Sequence, residues 1–228
     1  MFKNILIIKH GALGDLIQIT GPLKSIRTKY PNSKITLLTD KKFIFFTKNI
    51  IFVNEIIYES RSSLLRIDLW IASLLKIISR NYDLIIDLQN SERTNSYWLL
   101  LKLISKVKIN GSRSNCDIRY IIPPQGTESP QRGLYNQLKL LGINEISQNV
   151  DWLSCDVPEV QKDKLILMIP SASKSGKHKQ WSPKKFAKLS RSLEDRGYRI
   201  CLVGQESDKE TIKIITDSCR KIIDLTGK

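Results

Sequence analysis

Histidine is scarce: 228 residues include only His10 and His178. The four cysteines, Cys116, Cys155, Cys201 and Cys219, form no CxxC pair. No zinc cluster is visible from such a set, and reduced structural thiols are the default. Long apolar runs are missing too, since no window approaches the roughly 18 unbroken apolar residues of a membrane span. The apolar run at the N-terminus, within Met1–Lys9, is too short for a signal peptide, so the expected location is the cytosol. Acidic residues are the other shortage. Asp and Glu total 22 against 37 Lys and Arg, a net charge of +15. That surplus suggests nucleic acid, an acidic membrane or a phosphorylated substrate as partner, unless it reflects only a lysine-rich genome. Nucleic acid is the least supported, because no helix-turn-helix or RNA-binding signature is present and the charge is spread over both halves of the chain.

What the chain does have is a core and an alternating pattern. Hydrophobic residues make up 41% and charged residues 26%, the balance of a soluble globular protein. The length fits one large domain or two small ones. Strands are expected at Ile5–Ile8, Lys34–Thr39, 55–58, Leu84–Leu88 and Lys108–Asn110. Helices are expected at Asp15–Tyr30, kinked at Gly21-Pro22, at Leu64–Ile78 and at Thr94–Lys106. A breaker-rich loop over 121–133 precedes a helix at Leu134–Leu141. The alternation restarts with strand Leu165–Ile169, helix Pro183–Arg196, strand Arg199–Val203, a helix around Asp208–Ser218 and strand Lys221–Leu225. The fold class read from this is α/β. An N-terminal Rossmann-like parallel-sheet domain spans 1–157, an incomplete second Rossmann-like domain spans 158–228, and 146–163 is the linker region.

Three constellations stand where parallel sheets place ligands, after the carboxyl ends of strands. Lys9-His10-Gly11-Ala12-Leu13-Gly14-Asp15 follows the first strand. Gly11 and Gly14 permit a tight turn near a ligand. The spacing matches neither the dinucleotide fingerprint nor the P-loop. Asp15 is either a helix N-cap or a carboxylate placed as a general base. The loop Pro170–Pro183 follows the first strand of the second segment. Residues 171–191 hold seven Lys or Arg and no acid. Such a loop either binds phosphate or diphosphate or is simply solvated. Gly204-Gln205-Glu206-Ser207-Asp208 offers an acid either to a ribose or to a helix N-terminus. Two further stretches are weaker. Lys41–Phe46 mixes charge and aromatics, with core packing favoured over a membrane interface. Tyr97–Lys102 reads as buried rather than lipid-facing.

Together these residues resemble the lipopolysaccharide heptosyltransferases, glycosyltransferase family 9. The opening Ile5–Lys9, Gly11-Ala12-Leu13-Gly14-Asp15, Thr20, Pro22 and Tyr30-Pro31 carries the resemblance. So do Tyr82-Asp83-Leu84-Ile85-Ile86-Asp87-Leu88-Gln89, Pro170-Ser171-Ala172-Ser173, Lys179-Gln180-Trp181-Ser182-Pro183 and the ending Ile223–Lys228. The resemblance implies a GT-B fold, with an acceptor-binding N-terminal domain and a nucleotide-sugar donor-binding C-terminal domain. It implies transfer of heptose from ADP-heptose to the lipopolysaccharide inner core, inverting and without a metal or other cofactor. By the same match Asp15 is the catalytic base. Lys179, with Ser171 or Ser173, holds the donor diphosphate, Asp208 holds the ribose, and Gly11 and Gly14 shape the acceptor-side loop. An anionic acceptor on the inner face of a membrane fits the positive charge, with peripheral attachment there and no nucleic-acid partner. The family's Asp-Ser-Gly-Pro-x-His motif is not in the sequence. The expectation is therefore a shortened chain of weak or no activity, the alternative being a non-catalytic remnant that binds lipid-linked core sugar or a partner chain.

Overall fold

A computed structural model of the chain describes residues 2–60, 67–148, 152, 164–172 and 174–227. The chain divides into two compact units, Met1–Ser154 and Cys155–Lys228.

The first unit is built on a six-stranded sheet. Its strands are β1 (Asn4–Ile8), β2 (Lys34–Asp40), β3 (Glu55–Glu59), β4 (Leu84–Asp87), β5 (Lys108–Gly111) and β6 (Ile118–Arg119). Their order is β3-β2-β1-β4-β5-β6, and every pairing is parallel. Central parallel strands are buried on both faces and so read as continuous apolar runs. In β1, Ile5 and Ile7 face one core with Leu16, Ile19, Leu23 and Leu138. Leu6 and Ile8 face another with Ile77, Tyr97, Trp98 and Leu101. The helices covering these faces are α1 (Leu13–Gln18), α2 (Thr20–Lys29), α4 (Ile67–Ile78), α5 (Glu92–Ile104) and α6 (Pro130–Lys139). The short α3 (Ile44–Thr47) follows β2. Tyr97 and Trp98 are fully buried, as the sequence indicates.

Three local features depart from the sequence reading. The first helical stretch breaks at Ile19, before Gly21-Pro22. Pro22 has no N–H to offer the Gln18 carbonyl, and its ring crowds that carbonyl, so the disturbance falls one turn upstream. Gly21 has a different use: a Cβ there would lie 2.1 Å from the Ser147 carbonyl oxygen. Helix α6 begins at Pro130, not Leu134. The Ser129 side chain caps it by accepting the Arg132 N–H at 3.2 Å, and Pro130 takes the first helical position. Strand β6 is too short to show a pattern and is not among the expected elements. Of the expected helix from Leu64, residues 64–66 lie outside the described residues, as does most of the linker region.

The second unit holds a three-stranded parallel sheet of order β7-β8-β9, formed by Leu165–Met168, Arg199–Leu202 and Ile222–Asp224. Helices α7 (Pro183–Glu194) and α8 (Lys209–Thr216) pack on the face carrying Met168, Ile200 and Leu202. On the other face Leu167 and Ile223, register partners of Cys201, are exposed.

Candidate active site

The strand order reverses at β1, between β2 and β4. In open parallel sheets that reversal is where ligands bind. Here the loop Lys9–Ala12 leaves β1 beside the end of β4. The stretch Tyr82–Gln89 ties the two together. Asp83 Oδ2 accepts the Lys3 and Asn4 N–H groups at 2.6 and 2.9 Å at the start of β1. At the other end, Gln89 Oε1 accepts the His10 and Gly11 N–H groups at 3.1 and 3.3 Å. The Lys9 ammonium donates to the Leu88 carbonyl at 3.1 Å. Gly11 has φ +83°, and a Cβ there would sit 2.9 Å from Leu16 Cγ, so the turn demands glycine. Gly14 has no such need: it lies in the first turn of α1 with open space where a Cβ would be.

Asp15 is the third residue of α1. Ala12, not Asp15, is the N-cap, which corrects that reading of the sequence. Asp15 reaches back so that Oδ2 accepts the Ala12 N–H at 3.0 Å. The same half-buried carboxylate lines a cleft of about 330 Å³ together with Lys9, Asn90, Gln137, Tyr120 and Ile122. Burial pushes the Lys9 pKa down, and the negative charges of Asp15 and Asp87 pull part of that back. The cleft thus joins a carboxylate and a partly desolvated cation against an apolar wall that includes Pro123 and Pro124.

Two buried acids support this floor. Asp87 accepts from Thr94 Oγ1, Trp98 Nε1 and the Gln89 and Asn90 N–H groups at 2.7–3.2 Å. Burial nonetheless outweighs those bonds and pushes its pKa up. Gln137 Nε2 donates to the Asp87 carbonyl at 3.0 Å, and Asn90 Nδ2 donates to Gln137 Oε1 at 3.0 Å. Beneath His10, Glu59 receives Tyr97 and Arg93 as well as the His10 ring. Burial pushes the Glu59 carboxyl up, but its bonds to His10, Tyr97 and Arg93 prevail and hold it below its ordinary value. The sequence reading did not single out Lys9, Asn90 or Gln137 as site residues. Lys9 and Gln89 had a signal in their places beside strand ends. Gln137, far along the chain, had none.

In the second unit, Ser171 follows β7 and Lys179 closes the 3-10 turn Lys174–Lys179. Asp208 follows β8, its Oδ2 accepting the Gln205 N–H at 2.8 Å. Topology puts all three after the carboxyl ends of neighbouring parallel strands. Ser171 is half-buried and Lys179 is exposed. Glu206, the other acid of that turn, pairs with Lys209. Ser173 lies outside the described residues.

Two parallel α/β units in one chain, the first with a doubly wound sheet and a cleft at its switch point, define a GT-B glycosyltransferase fold. The chain belongs to glycosyltransferase family 9 (heptosyltransferase), whose model matches residues 71–228. Solved structures share the fold. A family 9 glycosyl transferase from Veillonella parvula matches with TM-score 0.74 and 23% identity, covering 99% of this chain and 70% of that one. The ADP-heptose lipopolysaccharide heptosyltransferase II of E. coli matches with TM-score 0.67 and 19% identity over 98% of this chain and 72% of its own. The E. coli heptosyltransferase WaaC, solved with ADP-2-deoxy-2-fluoro heptose, matches with TM-score 0.71 and 16% identity over 97% and 76%. No curated protein matches the sequence. Among the described residues no helix is long and apolar enough to cross a membrane.

Proposed function

We propose that this glycosyltransferase moves heptose from ADP-heptose to an anionic, lipid-linked sugar of the lipopolysaccharide inner core, inverting the anomeric centre without a metal. The observation that carries the reading is the Asp15 carboxylate lining the switch-point cleft beside Lys9. In this reaction the acceptor hydroxyl, seated in the cleft, attacks the anomeric carbon of the donor. Asp15 takes the hydroxyl proton as the new bond forms, and the bond to the ADP oxygen breaks on the opposite face. In-line displacement of this kind gives one inversion. Lys9 faces the same cleft and holds an acceptor carboxylate or phosphate, which steers the hydroxyl toward Asp15. Lys179, with Ser171 and Ser173, offsets the negative charge that builds on the departing diphosphate, and Asp208 accepts from the ribose. The enzyme works at the inner face of the membrane that carries its acceptor.

The test is incubation with ADP-heptose and a Kdo-bearing lipid acceptor, read by mass spectrometry. A product heavier by one heptose supports the reading. Binding of both substrates without product points to the second reading, a module that binds core sugar but does not transfer. One observation favours a related reading, a chain that binds a partner chain rather than transferring: Leu167, Ile169 and Ile223 are exposed on the second unit.

A further inference from the structure

The stretch between β2 and β3 has a property that sugar transfer does not use. Residues 41–54 contain Lys41, Lys42 and Lys48 and no acidic residue. Their apolar side chains divide into two sets. Phe43, Ile50 and Phe52 are buried, and Phe46 packs against Trp152 with ring centroids 6.3 Å apart. Ile44, Phe45 and Ile51 are 45%, 58% and 71% exposed. Helix periodicity explains the division. Phe43 and Thr47, four apart, turn inward, with the Thr47 hydroxyl donating to the Phe43 carbonyl at 3.0 Å. Ile44 and Phe45 are left on the opposite side. Lys41 and Lys48 are exposed at the two ends of the same segment, while Lys42 leans over the Phe43 ring. The core therefore holds a tip on which large apolar groups stand among cations.

The tip also packs against the loop that carries Asp15. It leaves the carboxyl end of β2, the edge from which the Asp15 loop leaves β1. The Phe43 ring lies 3.6 Å from where a Cβ on Gly11 would be. On that edge Ile121 and Ile122, after β6, are exposed as well, and Ile122 lines the cleft.

We propose that Lys41–Ile51 is a docking surface for an anionic lipid bilayer. Ile44, Phe45 and Ile51 enter the boundary between headgroups and acyl chains, and Lys41 and Lys48 meet the phosphates. A protein partner fits less well, because lysine is depleted in protein interfaces, and of the three lysines only Lys42 meets an acid, Asp40 at 3.5 Å, among the described residues. The proposal deepens the transfer reading and rests on it in one respect: docking here presents a lipid-linked acceptor to the cleft beside Asp15.

The experiment is flotation of the full chain with vesicles of phosphatidylglycerol and phosphatidylethanolamine, and with phosphatidylcholine vesicles as the neutral comparison. The wild-type chain is expected to float with the anionic vesicles alone. I44S/F45S, which changes no charge, and K41E/K48E are each expected to weaken binding by about tenfold or more. K184E/K188E makes the same charge change on exposed positions of α7 and is expected to bind within about twofold of wild type. Unchanged melting temperatures check that the variants fold. Wild-type protein left at the bottom of the gradient overturns the proposal. So does unchanged binding by I44S/F45S, or an equal loss in K184E/K188E, which shows diffuse charge. Transfer to a soluble acceptor needs no vesicle, so wild-type protein that transfers but does not float overturns this surface and leaves the transfer reading standing.

Discussion

His10 Nε2 lies 2.9 Å from Glu59 Oε2, and both side chains are 1% exposed. The pair crosses from the loop after β1 to the last residue of β3, so the loop that carries Asp15 is pinned from below by a buried carboxylate. Arg93 and Tyr97 of α5 hold the same carboxylate.

Replacing that carboxylate by an amide removes the charge that pairs with Arg93 and turns an NH2 group toward buried donors. Glu59→Gln is expected to cost about 3–5 kcal/mol at neutral pH, the usual effect of breaking a buried pair. The sign of the pH dependence follows from its depressed pKa. Stability from Glu59 is present above the ordinary carboxylate value and is lost as pH falls through the lower folded value. The gap between wild type and Glu59→Gln in urea unfolding is therefore full at pH 7 and shrinks in acid. Asp87, whose pKa is raised, acts in the opposite sense but in both proteins alike, so it cancels from the difference. A gap that is constant with pH contradicts this assignment.

The two glycines of the loop are not equivalent. Gly11→Ala places a side chain at φ +83° and 2.9 Å from Leu16 Cγ, and is expected to destabilise by about 1–3 kcal/mol. Gly14→Ala meets open space in a helical turn and is expected to be neutral or stabilising by up to about 1 kcal/mol. Thermal melts of the two variants separate these outcomes. Equal losses would contradict both the left-handed backbone at Gly11 and the open space at Gly14.

Gln89 is expected to set the order of the loop through its one oxygen. Gln89→Leu removes the oxygen that accepts the His10 and Gly11 N–H groups, and their hydrogen exchange is expected to speed up by about tenfold, while Gln89→Glu keeps the acceptor and the slow exchange. Exchange of these two amides at the wild-type rate in Gln89→Leu would mean that other contacts hold the turn.

On the donor side, Lys179→Ala is expected to weaken ADP binding by about tenfold or more in calorimetry, as loss of a charge-assisted contact to the diphosphate. Binding unchanged by the substitution would move the diphosphate away from the 3-10 turn.

Much of the fold is legible in the sequence because buried parallel strands announce themselves. Ile5–Ile8 and Leu84–Leu88 are apolar on both faces, and the structure makes them the two central strands. What a local pattern cannot show is a contact between distant residues. Gln137 reaches the floor of the site across 50 positions in the chain to the Asp87 carbonyl, and nothing in its neighbourhood signals this. The His10–Glu59 pair spans 49 positions and is equally silent. Gly21 is legible as a special residue, yet its reason is the passing carbonyl of Ser147 rather than a helix break. Lys41–Phe46 reads as core on composition. Of its aromatics Phe43 is buried and Phe46 half-buried, while Phe45 stands outside with Ile44 because a helix of four residues can turn only one side inward.

The central claim is that Asp15 takes the proton from the acceptor hydroxyl. Single-turnover transfer from ADP-heptose by wild type and Asp15→Asn, with ADP affinity measured on both, tests it most directly. The expected result is a rate lower by about 10²–10⁴ in Asp15→Asn with ADP affinity unchanged, the loss that follows when a general base is removed. Transfer by Asp15→Asn at close to the wild-type rate would contradict the claim and assign the proton to another group in the cleft.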